Sequence, residues 1–360
     1  MKILLVAPFS KDTVLGVIGN YCKNALINLG FNPQVFDFRE SKCFRNTLGG
    51  FFKKTIKKVY KFSRQQISFV NSLEKKTMNR ALLEEVRQFK PDIMLVLMGD
   101  NISATTLEEI KRQGIITANW FTDTVIDPRG ERMSFVQQIA PHYDYFFIYD
   151  SEEVLKNIKI DAPCVRSIPL ACDPSIHKSL NLTQKERGYY ASEVCFIGSL
   201  VSSLDARRIE ILRHLREFDL GIWGNWKEKD PLLYRFYKKK HVYLQEATKI
   251  YNSSDIALDI HIFFGTDKKA FDINPRVFEA TACGAFVLTN ESSYLANLYE
   301  IDKEIVCYSD VQELKQKIKY YLNHPQDRKA IAKQGQKRAH AEHTYEKRLG
   351  KILSIIETKG

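Results

Sequence analysis

No stretch of this 360-residue chain approaches the roughly twenty apolar residues that a helix needs to cross a bilayer. The opening MKILLVAPF is apolar but short, and no small-residue cleavage site follows it, so it reads as a first strand and not as a signal peptide. Cysteine is sparse and ill-assorted: seven residues, an odd number, with no C-x-x-C pair. That argues against a disulfide framework and a structural zinc site, and it fits a reducing cytoplasm. Cys195, Cys283 and Cys307 fall in or beside expected strands and helices, where a thiol serves as small apolar filler. His340 and His343 share a helical face, but two ligands in a charged terminal helix are too few for a metal, and both read as surface residues. No metal site is expected.

Catalytic signatures are missing too. There is no G-x-x-x-x-G-K-[ST] loop, no G-x-G-x-x-G after a strand, no H-E-x-x-H and no G-x-S-x-G. A P-loop NTPase, an ordinary dinucleotide dehydrogenase and the common hydrolases therefore lack support. No repeat of 20 to 50 residues and no low-complexity tract is present.

What the chain does carry is charge of one sign. Its 54 Lys and Arg outnumber 43 Asp and Glu, and the net charge of +11 implies an anionic partner such as a phosphorylated substrate or a membrane surface. Lys53, Lys54, Lys57, Lys58, Lys61 and Arg64 alternate with Phe51, Phe52, Ile56, Val59, Tyr60 and Phe62 at helical spacing. Residues 51–64 thus form a basic amphipathic segment. It suits peripheral binding at an anionic inner membrane face, or equally a surface helix packed on its own domain. Nucleic acid is not expected, because no recognised nucleic-acid fold surrounds the segment.

The length exceeds one comfortable hydrophobic core, so two domains are expected. Strand and helix signals alternate almost from end to end, the mark of parallel α/β layers. Strands are expected at 2–7, 34–38, 92–98, 115–120, 145–149 and 165–168, with helices between them, giving a Rossmann-like first domain over 1–170. Residues 171–190 lose this rhythm, with an Asp173-Pro174 turn and a polar run, and read as a linker. A second doubly wound series follows over 191–342, with strands at 193–197, 220–223, 256–260, 285–288 and 305–308. The tail 325–356 reads as helical throughout. Two such sheets would face each other across a cleft, with ligands at the carboxyl ends of the strands.

Loops after strands are therefore the places to look. After the first strand come Gly16 and Gly19, free to approach a ligand or simply to permit a turn. Asp123 ends the 115–120 strand and reads equally as a turn aspartate. Gly198 and Ser199, then Arg207 and Arg208, follow the strand at 193–197. Trp223 and Gly224 close the next one. His261 follows 256–260, and a loop histidine is either a catalyst or a hydrogen-bonded structural residue. Then comes FDINPRVFEATACGAFVLTN, residues 271–290. Pro275 suits a first helical position and Gly284 ends the helix. The turn at Asn274 would present bare amides and a partial positive charge to a phosphate, with Arg276 adding donors and Glu279 a turn further on.

At NPRVFEATACGAFVLTN the chain resembles the CgeB/YkvP-like glycosyltransferases, a group related to the GT-B class of sugar transferases. VCFIGSL with Arg207, IYNSSDIALDIH and EHTYEKRL are similar to other parts of that family's second domain, as ANWFTDT, YDYFFIYD and IPLACDP are to its first. The resemblance implies a GT-B architecture: two Rossmann-like domains with an interdomain cleft, and a final helix, 343–360, crossing back to the first. It implies a donor nucleotide held by the second domain, with Glu279 on the ribose, Asn274 and Arg276 on the diphosphate, and Gly198, Ser199 and Arg207 opposite. Gly16, Trp223 and Gly224 complete the candidate donor contacts. Related enzymes often carry a further acid ahead of the ribose glutamate, where this chain has Phe271 and Asp272.

The implied activity moves a sugar from a UDP-, GDP-, ADP- or dTDP-sugar to an acceptor hydroxyl on a glycan, lipid-linked carrier or protein, in envelope, surface-polysaccharide or spore-coat synthesis. No cofactor beyond the donor is required. Asp123 and His261 are the candidate catalytic residues, Asp123 taking the acceptor proton if configuration inverts. A GT-B-shaped nucleotide-sugar epimerase and a non-catalytic nucleotide- or sugar-binding scaffold are the alternatives.

Overall fold

The computed structural model describes residues 1–11, 13–39, 64–126, 130–200, 206–226, 230–238, 242, 244–261 and 273–358, with 64–72 by backbone alone. The basic segment, up to residue 63, and Phe271 and Asp272 lie outside the described residues.

The chain divides into two compact units, one of Met1–Tyr149 with Leu155–Ile168 and one of Asp150–Val154 with Pro169–Gly360. In the first, strands β1 (Ile3–Val6), β2 (Gln34–Phe36), β3 (Ile93–Leu97), β4 (Ile116–Phe121), β5 (Tyr145–Ile148) and β6 (Val165–Ser167) form one parallel sheet in the order β2-β1-β3-β4-β5-β6. β1, β3 and β5 read ILLV, IMLVL and YFFI and are buried along their whole length. Continuous apolar runs of this kind belong to parallel strands covered on both faces. The covering helices are α1 (Val14–Asn28), α2 (Arg64–Phe89), α3 (Ala104–Arg112), α4 (Glu131–Ile139) and α5 (Glu152–Asn157), the last shared with the second unit. Thr13 and Ser103 cap α1 and α3, each side chain accepting a first-turn amide.

The second unit repeats the plan. It begins with α6 (Gln184–Tyr190); strands β7 (Ser192–Leu200), β8 (Leu220–Trp226), β9 (Ser254–Leu258), β10 (Val287–Asn290) and β11 (Val306–Tyr308) then pair in parallel in the order β11-β10-β9-β7-β8. Its further helices are α7 (Ala206–His214), α8 (Gln245–Ser253), α9 (Pro275–Ala282), α10 (Ser293–Ala296), α11 (Val311–Asn323), α12 (Pro325–Glu342) and α13 (Tyr345–Glu357). Along β7 the side chains alternate between two cores. Val194 and Phe196 pack with Ile211, Leu212 and Ile318, while Cys195 and Ile197 pack with Ile250, Val277 and Phe278. In both sheets the chain turns to opposite sides on leaving its first strand, so β1/β3 and β7/β9 are the topological switch points.

The stretch read as a linker is structured and belongs to the second unit. Thr183 and Glu186 form a capping box on α6. Cys172 exchanges backbone hydrogen bonds with the far end of the chain: its N–H donates to the His343 carbonyl at 2.9 Å and its carbonyl accepts from Tyr345 N–H at 3.1 Å. Arg348 is buried beside this clasp and donates to the carbonyls of Pro169 at 3.1 Å and Glu342 at 2.9 Å. The tail is two helices and not one, because Thr344 leaves helical geometry and caps α13. His343 therefore lies inside, 3% exposed, with Nε2 donating to the Leu298 carbonyl and the ring packed on Phe278 and Tyr299. The surface reading of His343 is corrected by that burial. Among the described residues no helix is long and apolar enough to cross a membrane.

Candidate functional site

The switch point of the second sheet gathers the candidate residues. Gly198 and Ser199, expected after β7, instead continue it, opposite Gly224 and Asn225 of β8. A Cβ on Gly224, whose φ is +112°, would fall 2.4 Å from the Gly198 carbonyl oxygen, and one on Gly198 would meet the Phe196 ring at 2.6 Å. The glycine pair lets two strands close on each other where side chains would hold them apart. Trp223 is fully buried, its ring among Tyr189, Tyr190 and the core on the α8 side, with Nε1 beside Gly221 near the start of the strand. Its burial is that of a core residue.

β9 ends in Leu258, and Asp259, 3% exposed, follows. Asp259 is the hub of the site. Its Oδ1 faces Arg276 Nε at 3.3 Å and accepts from Asn274 Nδ2 at 3.2 Å, and its Oδ2 accepts from Thr289 Oγ1 at 3.1 Å. His261 Nε2 lies 2.9 Å from the same Oδ2, and Asn274 Nδ2 is 3.3 Å from His261 Nδ1. A bare ring nitrogen so near a carboxylate would be repelled, so Nε2 carries the proton and Nδ1 accepts from the amide. Burial alone would push the Asp259 carboxyl up, but His261, Arg276 and Arg208 together hold it well below the usual carboxylate range. At 1% exposure and held beside Asp259 and Asn274, His261 has the surroundings of a structural histidine.

Asn274 occupies the N-cap of α9 but makes no side-chain cap, because its amide is spent on Asp259 and His261. Pro275 has no N–H and the Val277 N–H donates to the Asn274 carbonyl at 3.0 Å, so among the described residues the Arg276 N–H is the first-turn amide left to this partly positive end. Arg276 hangs beside it. Its Nε is anchored on Asp259, whereas its buried Nη2 has no hydrogen-bond partner among the described residues. Arg207, the arginine singled out from the sequence, is exposed on α7, and its neighbour Arg208 turns inward instead. Arg208 Nε donates to the Ile260 carbonyl at 2.9 Å and Nη1 reaches the Ser199 carbonyl at 3.4 Å. Its charge adds to that of Arg276 in holding Asp259 ionised.

Glu279 follows Arg276 by one helical turn, its side chain 19% exposed. Burial pushes its carboxyl up to about 7, against the pull of Arg276. His177, 1% exposed, sits with Nε2 4.0 Å from Glu279 Oε1. Its Nδ1 accepts the Asp173 N–H at 3.0 Å, which puts the ring proton on Nε2, and burial reinforced by His340 lowers its pKa to about 3. His177 is therefore neutral, with its Nε2–H near Glu279 but beyond hydrogen-bond reach. Neither Asp259 nor His177 was anticipated from the sequence. The cysteines behave as filler: burial pushes the Cys195 and Cys307 thiols up to about 12.

Two candidates belong to the first unit. Asp123 sits just beyond β4, its side chain 42% exposed, with Oδ2 2.8 Å from Arg132 and Oδ1 accepting from Thr124 N–H. Gly16 lies in the first turn of α1, where an added Cβ would fall 2.0 Å from the Ser10 carbonyl oxygen. The glycine lets the loop after β1 rest on the helix, a packing reason sufficient by itself.

Two parallel α/β units of matching strand order make the GT-B fold. Residues 207–354 match the family model described as glycosyl transferase-like. The chain is 22% identical over 293 residues to spore protein CgeB of Bacillus subtilis (strain 168), covering 76% of this chain and 85% of that one. Among solved structures, the sucrose-phosphate synthase tll1590 of Thermosynechococcus elongatus matches with a TM-score of 0.67 at 12% identity over all of both chains. The Anabaena protein Alr3699/HepE, solved in complex with UDP and glucose, matches with a TM-score of 0.62 at 13% identity, covering 99% of this chain and 100% of that one. The resemblance to CgeB-like glycosyltransferases and the GT-B class read from the sequence are borne out by these matches.

Proposed function

We propose that this protein is a glycosyltransferase that binds a nucleoside-diphosphate sugar in its second unit and passes the sugar to an acceptor hydroxyl. The observation that carries the reading is the head of α9: an uncapped helix end beside a guanidinium whose Nη2 is buried without a partner among the described residues. A buried polar donor left unpaired is costly unless something binds it, and Arg276 and Arg208 bring positive charge to the same place. A diphosphate answers both. As the sugar leaves, negative charge grows on the diphosphate, and fixed donors at the helix end stabilise that charge without reorganising. Glu279, a turn further along α9, is the group for the ribose hydroxyls.

UDP is the leading nucleotide, since the HepE structures similar to this chain hold UDP. A glycan of a cell-surface or spore layer is the leading acceptor class, on the likeness to a spore protein. Thermal-shift and calorimetric titration with UDP, GDP, ADP and dTDP tests the reading. UDP is expected to stabilise the protein, and Arg276→Ala to lose about 1.5–3 kcal/mol of nucleotide binding through the missing charge-assisted contact. Absence of stabilisation by every nucleotide would overturn it. For Asp123 as acceptor base, Asp123→Asn should depress kcat while leaving UDP affinity intact.

A further inference from the structure

We infer that Asp259 is a positioning residue for nucleotide binding: by holding Arg276 through Nε it turns the far edge of the guanidinium toward the head of α9. This rests on the reading of Arg276 as a diphosphate contact.

A guanidinium has two edges able to take paired acceptors, one through Nε and one through its terminal nitrogens. Asp259 Oδ1 takes Nε at 3.3 Å, leaving the terminal nitrogens as the available edge, including Nη2, which has no partner among the described residues. The carboxylate is itself fixed from several sides, by Thr289 Oγ1, Asn274 Nδ2 and His261 Nε2, and the Tyr308 hydroxyl donates to its backbone carbonyl at 3.3 Å. His261 is tied down in turn, its backbone N–H donating to Asn290 Oδ1 at 2.9 Å. The Asn274 amide joins the two systems, and in doing so it withholds the cap that would otherwise occupy the helix end. One buried carboxylate thereby aims the arginine and keeps the Asn274 side chain away from the Arg276 amide.

A bare negative charge at this place makes little sense for an anion site. By Coulomb's law it repels the diphosphate, so its presence must be offset by what it orders. That opposition supplies the test. Asp259→Asn removes a negative charge and, on charge alone, should tighten UDP binding; if Asp259 positions Arg276, the same change should weaken binding about tenfold or more. A double-mutant cycle with Arg276→Ala completes it, because Asp259→Asn should cause no further loss once the arginine is gone. Should Asp259→Asn fail to fold, the near-isosteric Thr289→Val loosens the carboxylate with its charge kept, and a several-fold loss of UDP affinity is expected. Unchanged or tighter UDP binding in the folded Asp259→Asn protein, additive losses in the cycle, or full affinity in Thr289→Val would overturn the inference. If the unaltered protein bound no UDP at all, the failure would lie with the proposed function.

Discussion

Glu279 carries the most consequential titration in the molecule. Its folded pKa, pushed up to about 7 by burial, exceeds the ordinary carboxylate value of 4.5. The folded state therefore holds a proton that the unfolded state releases, and the contribution to stability is complete below 4.5 and fades as pH rises through 7. Glu279→Gln keeps the neutral shape at every pH. Compared with the unaltered protein it should gain on the order of 1–3 kcal/mol at pH 8 and nothing at pH 4.5, read from urea unfolding at both values. UDP binding should move the other way, because the ionised carboxylate is the better acceptor for ribose hydroxyls; the affinity advantage of the unaltered protein over the glutamine variant should grow as pH rises through 7. Arg276 and Glu279 were legible in the sequence because proline, arginine and glutamate at fixed helical spacing state their own geometry. Asp259 was not, since one aspartate in IALDIH has no spacing signal, and its partners lie 15 to 30 residues away in Asn274, Arg276 and Thr289. Which of Arg207 and Arg208 turns inward was not legible either. Neighbouring positions point about 100° apart, and only the packed helix shows which one faces inward.

At the scale of elements, the glycines explain where strand boundaries moved. Gly198 and Gly224 look like breakers in a sequence, yet they are opposite one another in the ladder and allow β7 and β8 to run on to Leu200 and Trp226. Gly224→Ala should therefore be costly twice over, through a Cβ 2.4 Å from the Gly198 oxygen and through a φ of +112° that an alanine resists. Strain of that kind is worth of order 1–3 kcal/mol before any clash is counted, so a clear fall in Tm is expected. Gly188, where an added methyl would meet only open space, should accept alanine with little change and serves as the control. Elsewhere the alternation of strands and helices was most readable at β1, β3 and β5, continuous apolar runs buried along their whole length. The short helix α6 was lost in a polar stretch, its residues being mostly exposed and its signal confined to the Thr183 and Glu186 capping box.

Considered as a whole molecule, the chain separates its candidate groups by unit. Every residue in the Asp259 and Glu279 networks belongs to the second unit, which carries its own two cores and is clasped to itself by Cys172, His343 and Tyr345. Linkage then makes a spatial prediction. A ligand at 100 times its Kd stabilises the state that binds it by about 2.7 kcal/mol, which slows amide exchange through full unfolding of that state roughly 100-fold. Hydrogen exchange on the full chain with and without UDP should place the strongest added protection in peptides covering β7, β9 and α9. Peptides from β1 and β5 should gain less, since the first unit has its own core and opens by its own equilibrium. Protection concentrated instead around Gly16 and Asp123 would transfer the nucleotide site to the first unit, and the roles given to Arg276, Glu279 and Asp259 would fall with it.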